Sequence, residues 1–401
     1  LWLLLFALIA PGAADSSQTS PPDNFFLYVG TYTGKDSKGI YAYRFNPASG
    51  DLHSLGVVAE TANPSFLAID SRHRVLYAVN EVQQYQGARA GAVSAFAVDA
   101  ASGKLSLLNQ VSSRGADPCY LSFDKTGQYV LVANYTGGNI AVYPIAASGR
   151  LAEASSVLSD TGALGPNHER QDAPHSHWIE VSTNNRFAYV SDLGLDRVLS
   201  YKFDADRGTL TSEPTAASGN SSSARLAPGT GPRHAAWGKT GEFMYVLGEL
   251  DSTVTVFAHD DRQTFRALQR ISSLPNGFSG KNDAAEIAIH PNGKFLYTSN
   301  RGHDSIARFS IDRKAGTLTL LDHSPTQGKA PRHFEIDPTG RFLFVANQES
   351  NSIVVFRLDP ASGELTPTGQ TLAVPSPVCL KFMPAAPSAG TLRSAAATRA
   401  K

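Results

Sequence analysis

Residues Pro331–Leu365 read PRHFEIDPTGRFLFVANQESNSIVVFRLDPASGEL, and Pro118–Leu151 read PCYLSFDKTGQYVLVANYTGGNIAVYPIAASGRL. Both follow one plan. A short strand led by Pro runs into a turn ending on Gly, then come an aromatic strand closing on Val-Ala-Asn, a polar bend, a β-branched strand and a second turn at Ser-Gly. Alternating runs such as FLFVAN and SIVVFRL have the period of a strand with one face inward, and Asp337-Pro338-Thr339-Gly340 and Ser362-Gly363 supply turn chemistry. Related units begin near Pro64, Pro118, Pro174, Pro232, Ala284, Pro331 and Pro377, 46 to 58 residues apart. That spacing suits propeller blades with loop insertions, and seven starts imply seven blades.

The first unit, NFFLYVGTYTG from Asn24, opens on a second-strand sequence, and the strand it lacks appears near the other end as SPVCLKF, Ser376 to Phe382. Pairing the two would close the ring and leave no free sheet edge between first and last blades. The sequence therefore predicts an all-β fold, one seven-bladed β-propeller over residues 24–383, with a C-terminal strand completing the N-terminal blade. An open solenoid or two sandwiches would not explain the split unit.

The flanks read differently. Leu1 to Ala10 form an apolar run followed by small residues, which resembles the apolar and cleavage regions of a secretory signal peptide without its basic start. Residues 1–14 are assigned to it, and the protein is expected to be exported to a periplasm or the exterior. Ten apolar residues fall short of the roughly 20 that a bilayer span needs, and no other stretch qualifies, so no stable membrane span is expected. Residues 384–401, rich in small residues, read as a disordered tail.

Lys plus Arg and Asp plus Glu number 35 each, and 17% of residues are charged, so no global field draws nucleic acid. Cys119 and Cys379 lie in nonadjacent units and read as small buried hydrophobes rather than a disulfide.

Positions that serve only the fold should look alike in all units, and two columns do not. Just after the start of each innermost strand stand Ser65, Cys119, His177, Arg233, Ala285, Arg332 and Val378 in successive units, followed by Phe66, Tyr120, Trp178, His234, Glu286, His333 and Cys379. At the end of the next strand stand Tyr32, Glu81, Tyr135, Leu193, Glu249, Arg301 and Gln348. Innermost strands of a propeller line its channel, so polar groups scattered along the sequence would meet at one mouth. In PHSHWIEV, Pro174–Val181, His175 and His177 are two apart and point to one side if extended.

Three arginines, Arg233, Arg301 and Arg332, converging on a pocket suit a carboxylate or phosphate, which implies a small anionic substrate. Glu249 or Glu286 should be ionised there, whereas His177 should be neutral and able to accept a proton from water attacking an ester carbonyl. His175, His234, Glu286, Arg332 and His333 are the further candidates for substrate contact. His-x-His can also present two metal ligands on one face. The surrounding arginines would repel a cation, so no metal or other cofactor is expected. No Gly-x-Ser-x-Gly elbow of a serine hydrolase occurs.

The stretches GPRHAAWGKTGEFMYVLGELDSTVTVF, AEIAIHPNGKFLYTSNRGHDSIARF, PRHFEIDPTGRFLFVANQESNSIVVF and DAPHSHWIEVSTNNRFAYVSDLGLDRV resemble the seven-bladed propeller lactonases. That family includes the propeller type of 6-phosphogluconolactonase and the carboxy-cis,cis-muconate cyclase, and the resemblance runs from about Asn24 to Met383. It implies metal-free lactone chemistry at one end of the channel. The cyclase's site, a His, an Arg, a Glu and a second Arg, falls on Arg233, Glu249 and Arg301, with His177 or His175 as the imidazole. The base is His177 or Glu249 on this reading, with His175 and Glu286 also open as candidates. The expected function is hydrolysis of the lactone of an anionic sugar acid. Its alternatives are a muconate-type lactonising cyclase and a non-catalytic exported propeller that binds a ligand or protein. The oligomeric state is not legible.

Overall fold

The computed structural model describes residues 24–212, 223–260 and 264–386. The expected leader at 1–14 and most of the expected tail at 384–401 lie outside the described residues. Seven antiparallel sheets account for the strands. Blade 1 pairs Pro377–Pro384 with Phe25–Thr31, followed outward by Gly39–Phe45 and Leu52–Glu60. Blades 2 to 7 begin at Leu67, Pro118, Ser176, Pro232, Asp283 and Pro331, and each runs outward through four consecutive strands, with a short extra strand, Ala224–Arg225, in blade 4.

The innermost strands touch their neighbours in order around a complete circle, including Pro331–Ile336 against Pro377–Pro384 and Pro377–Pro384 against Leu67–Asp70. The ring is closed by the C-terminal strand, as the split unit predicts. Its closing seam is aromatic: the Phe45 ring lies 5.1 Å from Phe344 and 5.5 Å from Phe382, and Phe344 lies 5.2 Å from Phe382. Deleting residues from Ser376 onward would uncover the edge of Phe25–Thr31 and the inner faces of Phe25, Leu27 and Val29, all buried in the intact chain. The truncated chain is expected to aggregate and lose cooperative unfolding, read by size-exclusion chromatography and circular dichroism; a monomer with wild-type unfolding would contradict this role.

The turn chemistry is concrete in blade 7. Asp337 is buried, and its carboxylate accepts the backbone N–H groups of Thr339, Arg341 and Phe342 and the Thr339 hydroxyl. Gly340 takes φ +71°, a conformation that disfavours a side chain. Asp124 holds the equivalent turn of blade 3. Cys119 and Cys379 are buried free thiols.

Candidate active site

In six blades the ladder between innermost and second strands skips a step near its start, for example between Pro118 and Tyr120, Ser176 and Trp178, Pro232 and Ala235, and Pro331 and His333. Such a bulge leaves an extra residue outside the pairing and re-aims its side chain. The extra residues are those of the variable column. In blade 4 the strand starts at Ser176, two residues after Pro174, and Ser176 opposes Asp192 as Pro118 opposes Asn134. His177 thus matches Arg233 and Arg332, while His175 lies before the strand.

Glu249 follows the second strand of blade 5. Its backbone N–H bonds Gly231 O, and a Cβ on the preceding Gly248 would come within 2.9 Å of Thr230 O, so the chain can pass only as glycine. Three guanidiniums converge on its carboxylate. Arg233 Nε lies 2.9 Å from Oε2, an ion-pair contact whose N–H is not aimed as a hydrogen bond. Arg301 Nη2 lies 3.2 Å from the same oxygen, and Arg170 Nη2 donates to Oε1 at 2.5 Å. Burial alone would raise the pKa of Glu249, but Arg301, Arg233 and Arg170 more than reverse this and hold it at about 2. Backbone carbonyls take further guanidinium hydrogens: Arg233 donates to Ala285 O, and Arg301 to Asp283 O and Ala284 O. Burial lowers Arg301 to about 10, which leaves it charged at neutral pH.

His177 sits beside this cluster, 4% exposed, its ring 5.1 Å from that of His234 and 5.5 Å from that of Tyr135. Its Nδ1 has no hydrogen-bond partner among the described residues. Burial, then the fields of Arg233, His234 and Arg332, push its pKa well below 6.5, so the ring is neutral at pH 7. His175 is placed differently. Its ring stacks on Tyr135 at 4.4 Å, Nδ1 meets Tyr135 O, and Nε2 meets Asp172. Both nitrogens are therefore engaged, so the two histidines do not form a matched pair of ligands.

One layer deeper, His234 Nδ1 donates to Glu286, whose carboxylate also accepts the N–H of Ile287 and lies 3.4 Å from His333 Nε2. Burial drives His234 to about 4 and His333 to about 3, so both imidazoles are neutral around an ionised Glu286. The Phe66 and Tyr120 rings lie 4.2 Å apart, tilted by 32°, and both make edge contacts with His234. Arg332 forms another wall: it lies over the Tyr32 ring and donates to its hydroxyl, which in turn donates to Glu81.

The sequence reading did not include Arg170. It lies on the connection 160–175 between the last strand of blade 3 and blade 4, which has no counterpart in the repeat columns. Only the unusual length of that connection marks it.

With this geometry in view, the comparisons with known proteins decide the family. The description "Lactonase, 7-bladed beta-propeller" matches residues 26–382. The chain belongs to the seven-bladed β-propeller lactonase family. It is 35% identical to a 6-phosphogluconolactonase of Bacillus subtilis over 357 residues, covering 89% of this chain and 97% of the relative. A 6-phosphogluconolactonase of Formosa agariphila is 35% identical over 316 residues, covering 77% of this chain and 86% of the relative. Among solved structures, the periplasmic gluconolactonase of Pseudomonas aeruginosa superposes with a TM-score of 0.83 at 35% identity, covering 90% of this chain and all of the other.

Proposed function

We propose that this propeller lactonase opens the lactone of an anionic sugar acid by water attack, with His177 as the general base and without a metal. The observation that carries the reading is the Glu249 cluster beside neutral His177: three guanidiniums share Glu249, and Asp283 lies 3.6 Å from Arg170, which still leaves surplus positive charge next to a proton acceptor. A carboxylate held at about 2 is a poor proton acceptor near pH 7, so Glu249 is read as the anchor of the arginines and His177 as the base.

In this scheme the guanidiniums hold the substrate's carboxylate or phosphate and stabilise the oxyanion formed when water adds to the lactone carbonyl. His177 takes the water proton and returns it to the ring oxygen as the C–O bond breaks. The arginine field that depresses the basicity of His177 is partly cancelled once an anion binds, so a charged substrate would raise the basicity of the group that attacks it. Ring closure of a muconate-type acid could use the same groups; the names of the relatives favour opening. The engagement of both His175 nitrogens supports the metal-free scheme. The apolar leader and the periplasmic relative support export, which fractionation of cells expressing the full chain would test.

The test is hydrolysis of 6-phosphogluconolactone and uncharged gluconolactone by purified protein, with and without chelator, after subtraction of spontaneous opening. Chelator-resistant turnover that prefers the phosphorylated lactone and disappears in Arg233→Ala is expected. Absence of turnover on either lactone would overturn the activity, and loss with chelator would overturn the metal-free scheme.

A further inference from the structure

Blade 4 carries two carboxyl groups where other blades carry none. In blades 2, 3 and 7 the second strand ends on Asn80, Asn134 and Asn347, and in blade 6 Asn300 stands one residue before its end. The carboxamide of each donates to the chain entering the blade, Asn80 to the Thr61 hydroxyl and the others to the backbone carbonyls of Ser113, Ser273 and Thr326. The same backbone bond marks that second position in every case, and in blade 4 it falls on Asp160, whose N–H bonds Gly138 O. The Asn position of blade 4 is Asp192. Two aspartates thus stand in place of a Ser/Thr and Asn pair.

Both are buried, Asp160 at 3% exposure and Asp192 at 0%, and neither forms an ion pair among the described residues. Asp160 accepts the hydroxyls of Ser176 at 2.7 Å and Tyr201 at 2.5 Å. Asp192 Oδ1 accepts the backbone N–H groups of His175 and Leu195, each at 3.0 Å. Asp192 Oδ2 is buried with no donor among the described residues. Asp160 lies close enough to act on Asp192 through its charge and a side-chain hydrogen bond. Two uncompensated negative charges in such a site would be costly, and one proton on Asp192 Oδ2 donated to Asp160 removes the problem. The protonated carboxyl then plays the donor's part that the Asn carboxamide plays in the other blades.

We propose that Asp160 and Asp192 share one proton and together act as positioning residues for His177, clamping His175 by its amide and Ser176 by its hydroxyl immediately before the imidazole. The claim about His177 rests on its reading as the base; the shared proton does not. Burial, followed by the charge of Asp160, raises Asp192 well above the ordinary carboxyl value, in accord with this geometry. The other titratable groups around the pair are Tyr201 on the third strand and His175 with its partner Asp172.

A carboxyl whose folded pKa is raised contributes stability that is complete below its unfolded value and is lost as pH rises through the folded one. Asp192→Asn cannot titrate and restores the residue used in four other blades. Its urea midpoint is expected to gain on that of the wild type as pH rises above the ordinary carboxyl range; a difference that does not change with pH would overturn the shared proton. Asp192→Ala removes the acceptor for the His175 amide and is expected to lower kcat by about tenfold or more with KM changed less, while Asp192→Asn retains kcat. Equal kcat in Asp192→Ala and wild type would overturn the positioning claim. Normal turnover in a His177→Ala control would overturn the base assignment and the positioning claim with it, while the stability comparison, which uses no lactone, would still decide the proton.

Discussion

Replacing His177 by Ala is expected to lower kcat on an anionic lactone by about a hundred- to ten-thousand-fold, the contribution of a positioned general base. KM should change far less, because the arginines, not the imidazole, carry the anion. The same assignment fixes the pH dependence. His177 acts only when neutral, so activity is lost as pH falls through its pKa, which burial, Arg233, His234 and Arg332 hold well below 6.5. Turnover of an uncharged lactone should therefore stay level as pH falls through 6.5 and decline only below it. An anionic lactone, whose charge offsets part of the arginine field, should show its acid limb at a higher pH than the uncharged one. Stopped-flow or pH-stat rates on both substrates across the acid range would check this; an acid limb at the same pH for both, or a His177→Ala enzyme within threefold of wild type, would remove His177 from the base role.

The fold and the main cluster were legible for different reasons. Repetition exposed the propeller, because turn aspartates such as Asp337 and strand endings such as Val-Ala-Asn must recur wherever the same blade is built. Departure from repetition exposed Arg233, Glu249 and Arg301, which the bulges and strand ends bring within ion-pair distance. The remaining features had no such contrast. Arg170 reaches Glu249 from a connection that no other blade shares, so nothing in the sequence stood beside it for comparison. Asp192 was hidden for the opposite reason: Asp for Asn looks conservative until Asp160 is found facing it in a buried site.

Replacing Glu249 by Gln is expected to destabilise the fold by about 3–5 kcal/mol, the usual cost of removing one partner from a buried ionic group. Gln is close to isosteric, so the loss would come from charge rather than packing. Arg233 and Arg301, 4% and 15% exposed at their side chains, would lose their common counter-ion, while Arg170, 37% exposed, can turn to water and contributes less. The titration leads to a similar magnitude: a carboxyl lowered from 4.5 to about 2 contributes about 3 kcal/mol at neutral pH. Because its folded pKa is depressed, that stability is present above the ordinary value near 4.5 and disappears as pH falls through about 2. The difference in unfolding free energy between wild type and Glu249→Gln should thus be full at neutral pH and shrink in acid. The variant also leaves Arg233 and Arg301 without that counter-ion, while Arg170 keeps Asp283 at 3.6 Å, so phosphate should raise its denaturation midpoint more than that of the wild type, in which Glu249 offsets part of their charge. Denaturant titrations at two pH values, with and without phosphate, measure both effects. Identical midpoints for the two proteins at neutral pH would mean that the guanidiniums find their counter-charge elsewhere, and the anion-binding role of the cluster would have to be abandoned with it.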